Sequence, residues 1–287
     1  MFRRLASFAA ALCALSMVTA WPSPTAAEDP YQRLLANTEA LVTVKFVLKV
    51  KMEGGADSEF EGEIMCLLID AEGLVLCSNT ELGGYINLMS RAMGRGPGLN
   101  ISAVPTDIEV LIGDENEGRE ARLLARDSDR DLAWVRIQDR GDAPPLPYLD
   151  FTRSAVLDVG DRFYSLRRMD KFFGSAPMVT AGTVGAVTRK PRQLLVPSPA
   201  LDSGYGVPIF TAEGQLVGVT VLQMPSFEDD GGDLFSHPMA LLGESVKLQD
   251  MVGGMILPAA EVVKATRLAR EIFAAEDEEE EGEEEGR

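Results

Sequence analysis

The chain has 287 residues, of which 46% are hydrophobic and 25% charged, with 27 glycines and a net charge of −18. That length and composition suit a globular protein of one large or two small domains, with ample chain to bury a core. The negative balance speaks against nucleic acid and anionic membrane surfaces as partners, because both need a positive face.

The first 27 residues read as a secretory signal. Arg3 and Arg4 open it, Leu5 to Val18 is an apolar run, and small residues follow at Val18-Thr19-Ala20 and Thr25-Ala26-Ala27. The run is short for a bilayer span, and Trp21-Pro22-Ser23-Pro24 breaks any helix that would lengthen it. An uncleaved N-terminal anchor is the competing reading. With the signal removed, the expectation is an exported protein, periplasmic or extracellular, with no membrane insertion. Cleavage after Ala27 takes the charge to −20 and leaves two cysteines, Cys66 and Cys77.

From residue 28 to 150 the pattern predicts a short helix over 30–39. Strands follow over 41–49, 63–69, 74–78, 107–112, 119–126 and 131–137, as short β-branched or aliphatic runs mostly bounded by Gly, Asp or Asn. The proline-rich Gly141-Asp142-Ala143-Pro144-Pro145-Leu146-Pro147 marks a joint. Residues 151–275 carry a second set, over 162–166, 178–187, 193–196, 208–210, 215–223 and 254–257. Six strands on each side of a joint predict an all-β protein of two six-stranded antiparallel barrels. A C-terminal helix over 258–275 starts at Pro258 and carries an apolar stripe of Val262, Val263, Ala265, Leu268, Ala269, Ile272 and Phe273. It is expected to pack on the second barrel. The tail 276–287 holds nine acids and one arginine, a block that stays solvated and disordered.

Asp70-Ala71-Glu72-Gly73 is a turn between two of these strands. If Asp70 faces Gly73, Cys66 falls opposite Cys77 on one face of the hairpin, close enough for a disulfide in an oxidising compartment. Two buried, unreacted thiols are the alternative, and a slip of one residue in register would separate the pair.

Several segments, in order, resemble the trypsin-like serine peptidase domain of the HtrA kind. Ser203-Gly204-Tyr205-Gly206-Val207-Pro208-Ile209 resembles its nucleophile loop, Gly-Asn-Ser-Gly-Gly-Pro followed by an aliphatic strand. Ile69-Asp70-Ala71-Glu72-Gly73-Leu74-Val75-Leu76 is similar to the hairpin leading into the catalytic histidine. Ile108-Glu109-Val110 and Asp127-Ser128-Asp129-Arg130-Asp131-Leu132-Ala133 are similar to the strand and loop of the catalytic aspartate. Val179 to Ala186, Gly214 to Val219 and Gly254-Met255-Ile256-Leu257-Pro258 resemble strands of the second barrel. The resemblance spans about Leu41 to Ala265, and no PDZ module is expected.

The resemblance places the histidine at Thr80, the aspartate at Asp131 and the serine at Tyr205. Threonine is no general base near neutral pH, and a phenol without an adjacent base is a poor nucleophile. Asp131 is retained, and its plain role is to tie down a loop by accepting backbone hydrogen bonds. Val207 stands where the family has glycine, and the sole histidine, His237, lies downstream of the loop, out of the family's order. No catalytic residue, metal site or cofactor is therefore expected. Asp127, Asp129 and Asp131 mimic the opening of a calcium loop, but Leu132 and Gln138 stand where that loop needs glycine and glutamate. Glu228 to Asp233 shows no ligand spacing, and Asn100-Ile101-Ser102 is a glycosylation acceptor only in a source that glycosylates. The implied function is a non-catalytic module that binds a protein or an extended peptide. The alternatives are a regulatory or structural subunit docking on an active protease, and an endopeptidase with non-standard residues.

Overall fold

The computed structural model describes residues 29–52, 56–87, 101–113, 115, 117–138, 143–201, 204–223 and 253–271. The signal over 1–27, Asn100, Ser203, the acidic loop 228–233, His237 and the tail 276–287 lie outside the described residues.

A short helix, α1 (Pro30–Leu35), is capped by the Asp29 carboxylate, which accepts from Tyr31 N. Six strands then close the first barrel. They are β1 (Leu41–Met52), β2 (Ser58–Leu68), β3 (Leu74–Ser78), β4 (Ile101–Ile112), β5 (Arg119–Asp127) and β6 (Leu132–Ile137), in the spatial order β1-β2-β3-β6-β5-β4. The first strand shows why. Val44, Phe46, Leu48 and Val50 alternate with Lys45, Lys49 and Lys51, so one face is apolar and buried and the other reaches water. β1 is antiparallel to both β2 and β4, which closes the sheet on itself. A bulge opposite Phe46 places Asp107 at φ +50.

The second barrel repeats the plan with β7 (Arg162–Arg168), β8 (Pro177–Val187), β9 (Leu195–Ser198), β10 (Pro208–Phe210), β11 (Leu216–Gln223) and β12 (Gly253–Pro258). Its order is β10-β11-β12-β9-β8-β7. A helix, α2, follows over 259–271. The architecture is all-β, two closed six-stranded antiparallel barrels with a C-terminal helix.

Three apolar clusters hold it. One fills the first barrel with Val42, Val44, Phe46, Val75, Val110 and Val135, and one fills the second with Phe163, Val184, Ile209, Val217 and Ile256. The third lies between the barrels and joins Leu41, Leu76, Trp134, Phe151, Leu166, Phe210, Val221, Val262 and Ala265. Burying residues of both barrels and α2 in one core fixes the barrels against each other.

The helix departs from expectation here. It does not pack on the second barrel alone, because its polar contacts reach the first. Trp134 Nε1 donates to Thr266 Oγ1 (3.0 Å), Arg270 meets Asp70 (2.6 Å) and Arg130 meets Glu261 (3.3 Å). The helical stripe was legible in sequence, but the partner of its polar face depended on which barrel surface lay beneath it.

Cys66 and Cys77 are joined by a disulfide, with Cα atoms 4.7 Å apart. The neighbouring pairs Leu67↔Leu76 and Leu68↔Val75 set the register that brings them opposite, and both side chains are buried inside the first barrel.

Candidate functional site

The turn between β5 and β6 brings Asp131 to the junction of the barrels. Asp127 Oδ1 accepts from Asp129 N (3.0 Å) and Arg130 N (2.9 Å), which coils the turn. Asp131 follows in the left-handed region at φ +57, a conformation that aspartate tolerates better than most residues. Arg192 of the second barrel reaches back to Asp129, through the carboxylate and through the carbonyl (2.6 Å). The three aspartates of the calcium-like run thus turn to three separate tasks. Among the described residues no cluster of His, Cys, Asp or Glu could hold a metal ion.

The Asp131 carboxylate is buried and surrounded by donors. Oδ1 accepts from Thr80 N (2.6 Å), Oδ2 from Leu222 N on β11 (2.8 Å), and Ser78 Oγ donates to both at 3.1 and 3.2 Å. One side chain therefore ties the loop after β3 to a strand of the other barrel. Burial pushes its pKa up, against the pull of the bonds from Leu222, Thr80 and Ser78.

Thr80 starts a tight helical turn over 80–84 that is broken at Gly83 (φ +89). Arg126 holds this turn by donating to Leu82 O (2.9 Å). The next residue, Glu81, was not singled out by sequence reasoning, yet it makes the central contact of the site. Its Oε1 accepts from Tyr205 N (2.9 Å), across from one barrel to the other. The Glu81 pKa is raised, chiefly by burial and further by Asp131, while the Tyr205 N–H pulls it down.

Tyr205 sits in a loop shaped by two glycines, Gly204 at φ +84 and Gly206 at φ +76, where a side chain would be strained. Thr220 on β11 fixes this loop. Its Oγ1 accepts from Val207 N (2.9 Å) and donates to Gly204 O (3.1 Å), while Gly206 N donates to Thr220 O (2.7 Å). Val207 is buried. The Tyr205 ring turns toward β12, with Cε1 3.7 Å from the point that a β-carbon on Gly254 would occupy. Burial, then Asp131 and Glu81, raise the phenol pKa, so it holds its proton more firmly than free tyrosine.

Thr80, Asp131 and Tyr205 are thus brought together, far apart in sequence and linked through Glu81. What they can do chemically is limited. Ser78 donates to Asp131 and is buried. The Glu81 carboxylate is engaged by Tyr205 N. An internal carboxylate therefore holds a backbone donor of this loop that an incoming carbonyl could otherwise use. One signal could have pointed to Glu81: an acidic residue directly after Thr80.

A cavity of about 70 Å³ opens beside this contact, lined by Met65 and Glu81 from the first barrel and Arg167, Arg168, Tyr205 and Val207 from the second. A larger one of about 530 Å³, lined by Asp158, Val159, Val187, Thr188, Arg189 and Gln193, contains none of the site residues. Functional weight belongs to the smaller, because it lies where the loops converge.

Comparisons with known proteins bear on the fold. A family model for the trypsin-like peptidase domain matches residues 92–219. Among solved structures, the HtrA-type protease AlgW with decapeptide shares 17% identity at a TM-score of 0.50, over 84% of this chain and 67% of that one. The MamO protease domain from Magnetospirillum magneticum, in its apo form, shares 16% identity at a TM-score of 0.44, over 82% of this chain and 98% of that one. No curated protein matches the chain. The fold is the trypsin-like one, two barrels with the site at their junction.

Proposed function

We propose that this chain is an exported trypsin-like domain of the HtrA kind that does not cleave peptide bonds and works by binding a protein or an extended peptide at the junction of its barrels. The observation that carries the reading is the Glu81–Tyr205 contact. Hydrolysis by this fold needs a nucleophile, a base and a free backbone donor at one point. Here the nucleophile position holds a protonated phenol, the base position holds Thr80, and the backbone N–H of Tyr205 is occupied by Glu81. The scaffold around these positions is nonetheless kept in order, by Asp131 from one side and Thr220 from the other. A cavity lined by both barrels gives a ligand somewhere to sit.

Export is part of the reading. The signal over 1–27 and the Cys66–Cys77 bond support it, since such bonds persist in oxidising compartments. Among the described residues no helix is long and apolar enough to cross a membrane.

Purified mature protein treated with a fluorophosphonate serine-hydrolase probe should remain unlabelled. The same preparation should retain partners from an extract of its source, with fewer retained by Tyr205→Ala. Covalent labelling would overturn the non-catalytic reading. Partner capture unaffected by Tyr205→Ala would move the binding surface away from the junction.

A further inference from the structure

We infer that the cavity beside Tyr205 is a carboxylate pocket, in which Arg167 supplies the charge and Tyr205 N the second donor once Glu81 releases it. The inference rests on the peptide-binding reading above and names the chemistry that the site would take.

Arg167 is the first reason. Arg167 lines the cavity, and one terminal nitrogen donates to Met178 Sδ (3.2 Å), a weak acceptor, while its Nε is buried with no hydrogen-bond partner. Among the described residues it makes no ion pair. An arginine at a cavity, with an unmatched donor and only a sulfur acceptor on a terminal nitrogen, is the complement of an anion, and a planar carboxylate fits the guanidinium fork best.

Glu81 is the second reason. Its carboxylate already accepts from Tyr205 N from inside the protein, which shows that this N–H can donate to a carboxylate oxygen in the geometry of the folded chain. Glu81 thus stands in for the ligand and competes with it. Size is the third reason. A volume of about 70 Å³ admits a carboxylate or a few waters. Two sources share this chemistry, a peptide C-terminus and an acidic side chain.

The test uses the mature protein and a fluorescein-labelled peptide rich in Ala and Val, read by fluorescence anisotropy. Three forms are compared: free C-terminal acid, C-terminal amide, and the amide carrying one internal Glu. At least one acid-bearing form should bind tighter than the neutral amide by about tenfold or more, the scale of one charge-assisted hydrogen bond. Whichever form gains identifies the source. In Arg167→Gln the acid and amide forms should bind alike, and Glu81→Gln should raise the affinity of the acid form several-fold. Arg167→Lys serves if the glutamine variant does not fold, and should give a reduced preference because it keeps the charge and loses the fork. If the wild-type protein binds all three forms equally, the carboxylate pocket is wrong while peptide binding stands. If none binds, both readings fall together.

Discussion

Replacing Asp131 with alanine should loosen the junction of the barrels, and the structure sets the scale. The substitution strips the acceptor from Leu222 N, Thr80 N and Ser78 Oγ. Leu222 N and Ser78 Oγ are buried, and an orphaned buried donor costs about 1–3 kcal/mol. Two such donors amount to about 2–6 kcal/mol. Part of this is returned, because burial already disfavours the charged carboxylate, so the net loss should lie toward the lower end of that range. Trp134 reports it, being the sole tryptophan once residues 1–27 are removed and buried where β6 meets α2. Urea unfolding at neutral pH, followed by its fluorescence, is the assay. An unchanged midpoint for Asp131→Ala would refute the idea that this carboxylate is a structural tie.

The pH dependence has a definite sign. A carboxyl whose pKa is raised on folding binds its proton more tightly folded than unfolded, so its contribution to stability falls as pH rises. For Asp131 the penalty begins near its ordinary value of 3.8 and is complete above its raised folded value. Glu81 behaves likewise from 4.5 upward. Acidification through that window should therefore widen the advantage of wild type over Asp131→Asn. A constant gap would mean that the carboxylate titrates normally.

Tyr205→Ser alone should not restore hydrolysis of casein or labelling by a fluorophosphonate, because Thr80 is no base and Glu81 still holds the backbone N–H; labelling of that variant would count against this. The double variant Cys66→Ala/Cys77→Ala should lose about 3 kcal/mol, the loop-closure value for so short a loop, measured as a urea midpoint against wild type with and without reductant. Thr220→Val removes the hydroxyl that joins Val207 N to Gly204 O, and should cost about 1–2 kcal/mol while speeding proteolysis within 204–207. An unchanged cleavage rate would show that the glycines alone hold the loop.

Local pattern makes much of this protein readable from its sequence. Alternation in Val44-Lys45-Phe46-Val47-Leu48-Lys49 specifies a half-buried strand wherever it occurs, and a turn centred on Asp70 to Gly73 specifies a hairpin whose register follows by counting. Strand starts were less legible. β4 begins at Ile101 rather than 107, because the bulge at Asp107 interrupts the alternation, and β2 begins at Ser58, where Glu59, Glu61 and Glu63 carry no apolar signal. The residues at positions 80, 131 and 205 could be listed from the order of segments. Their coupling could not, since Glu81 and Tyr205 are 124 residues apart and no periodicity links them.

Sequence by itself thus determined most of the strands and the division into two halves, because each depends on residue type and short-range spacing. Tertiary structure alone decided which side chains meet at the junction. Packing one barrel against the other buries Asp131 among donors, presses Glu81 onto Tyr205 N and leaves Arg167 with an unmatched donor at a small cavity. The physical reason is that desolvation and hydrogen-bond partnership belong to the interface between the barrels, and neither barrel's sequence specifies that interface alone.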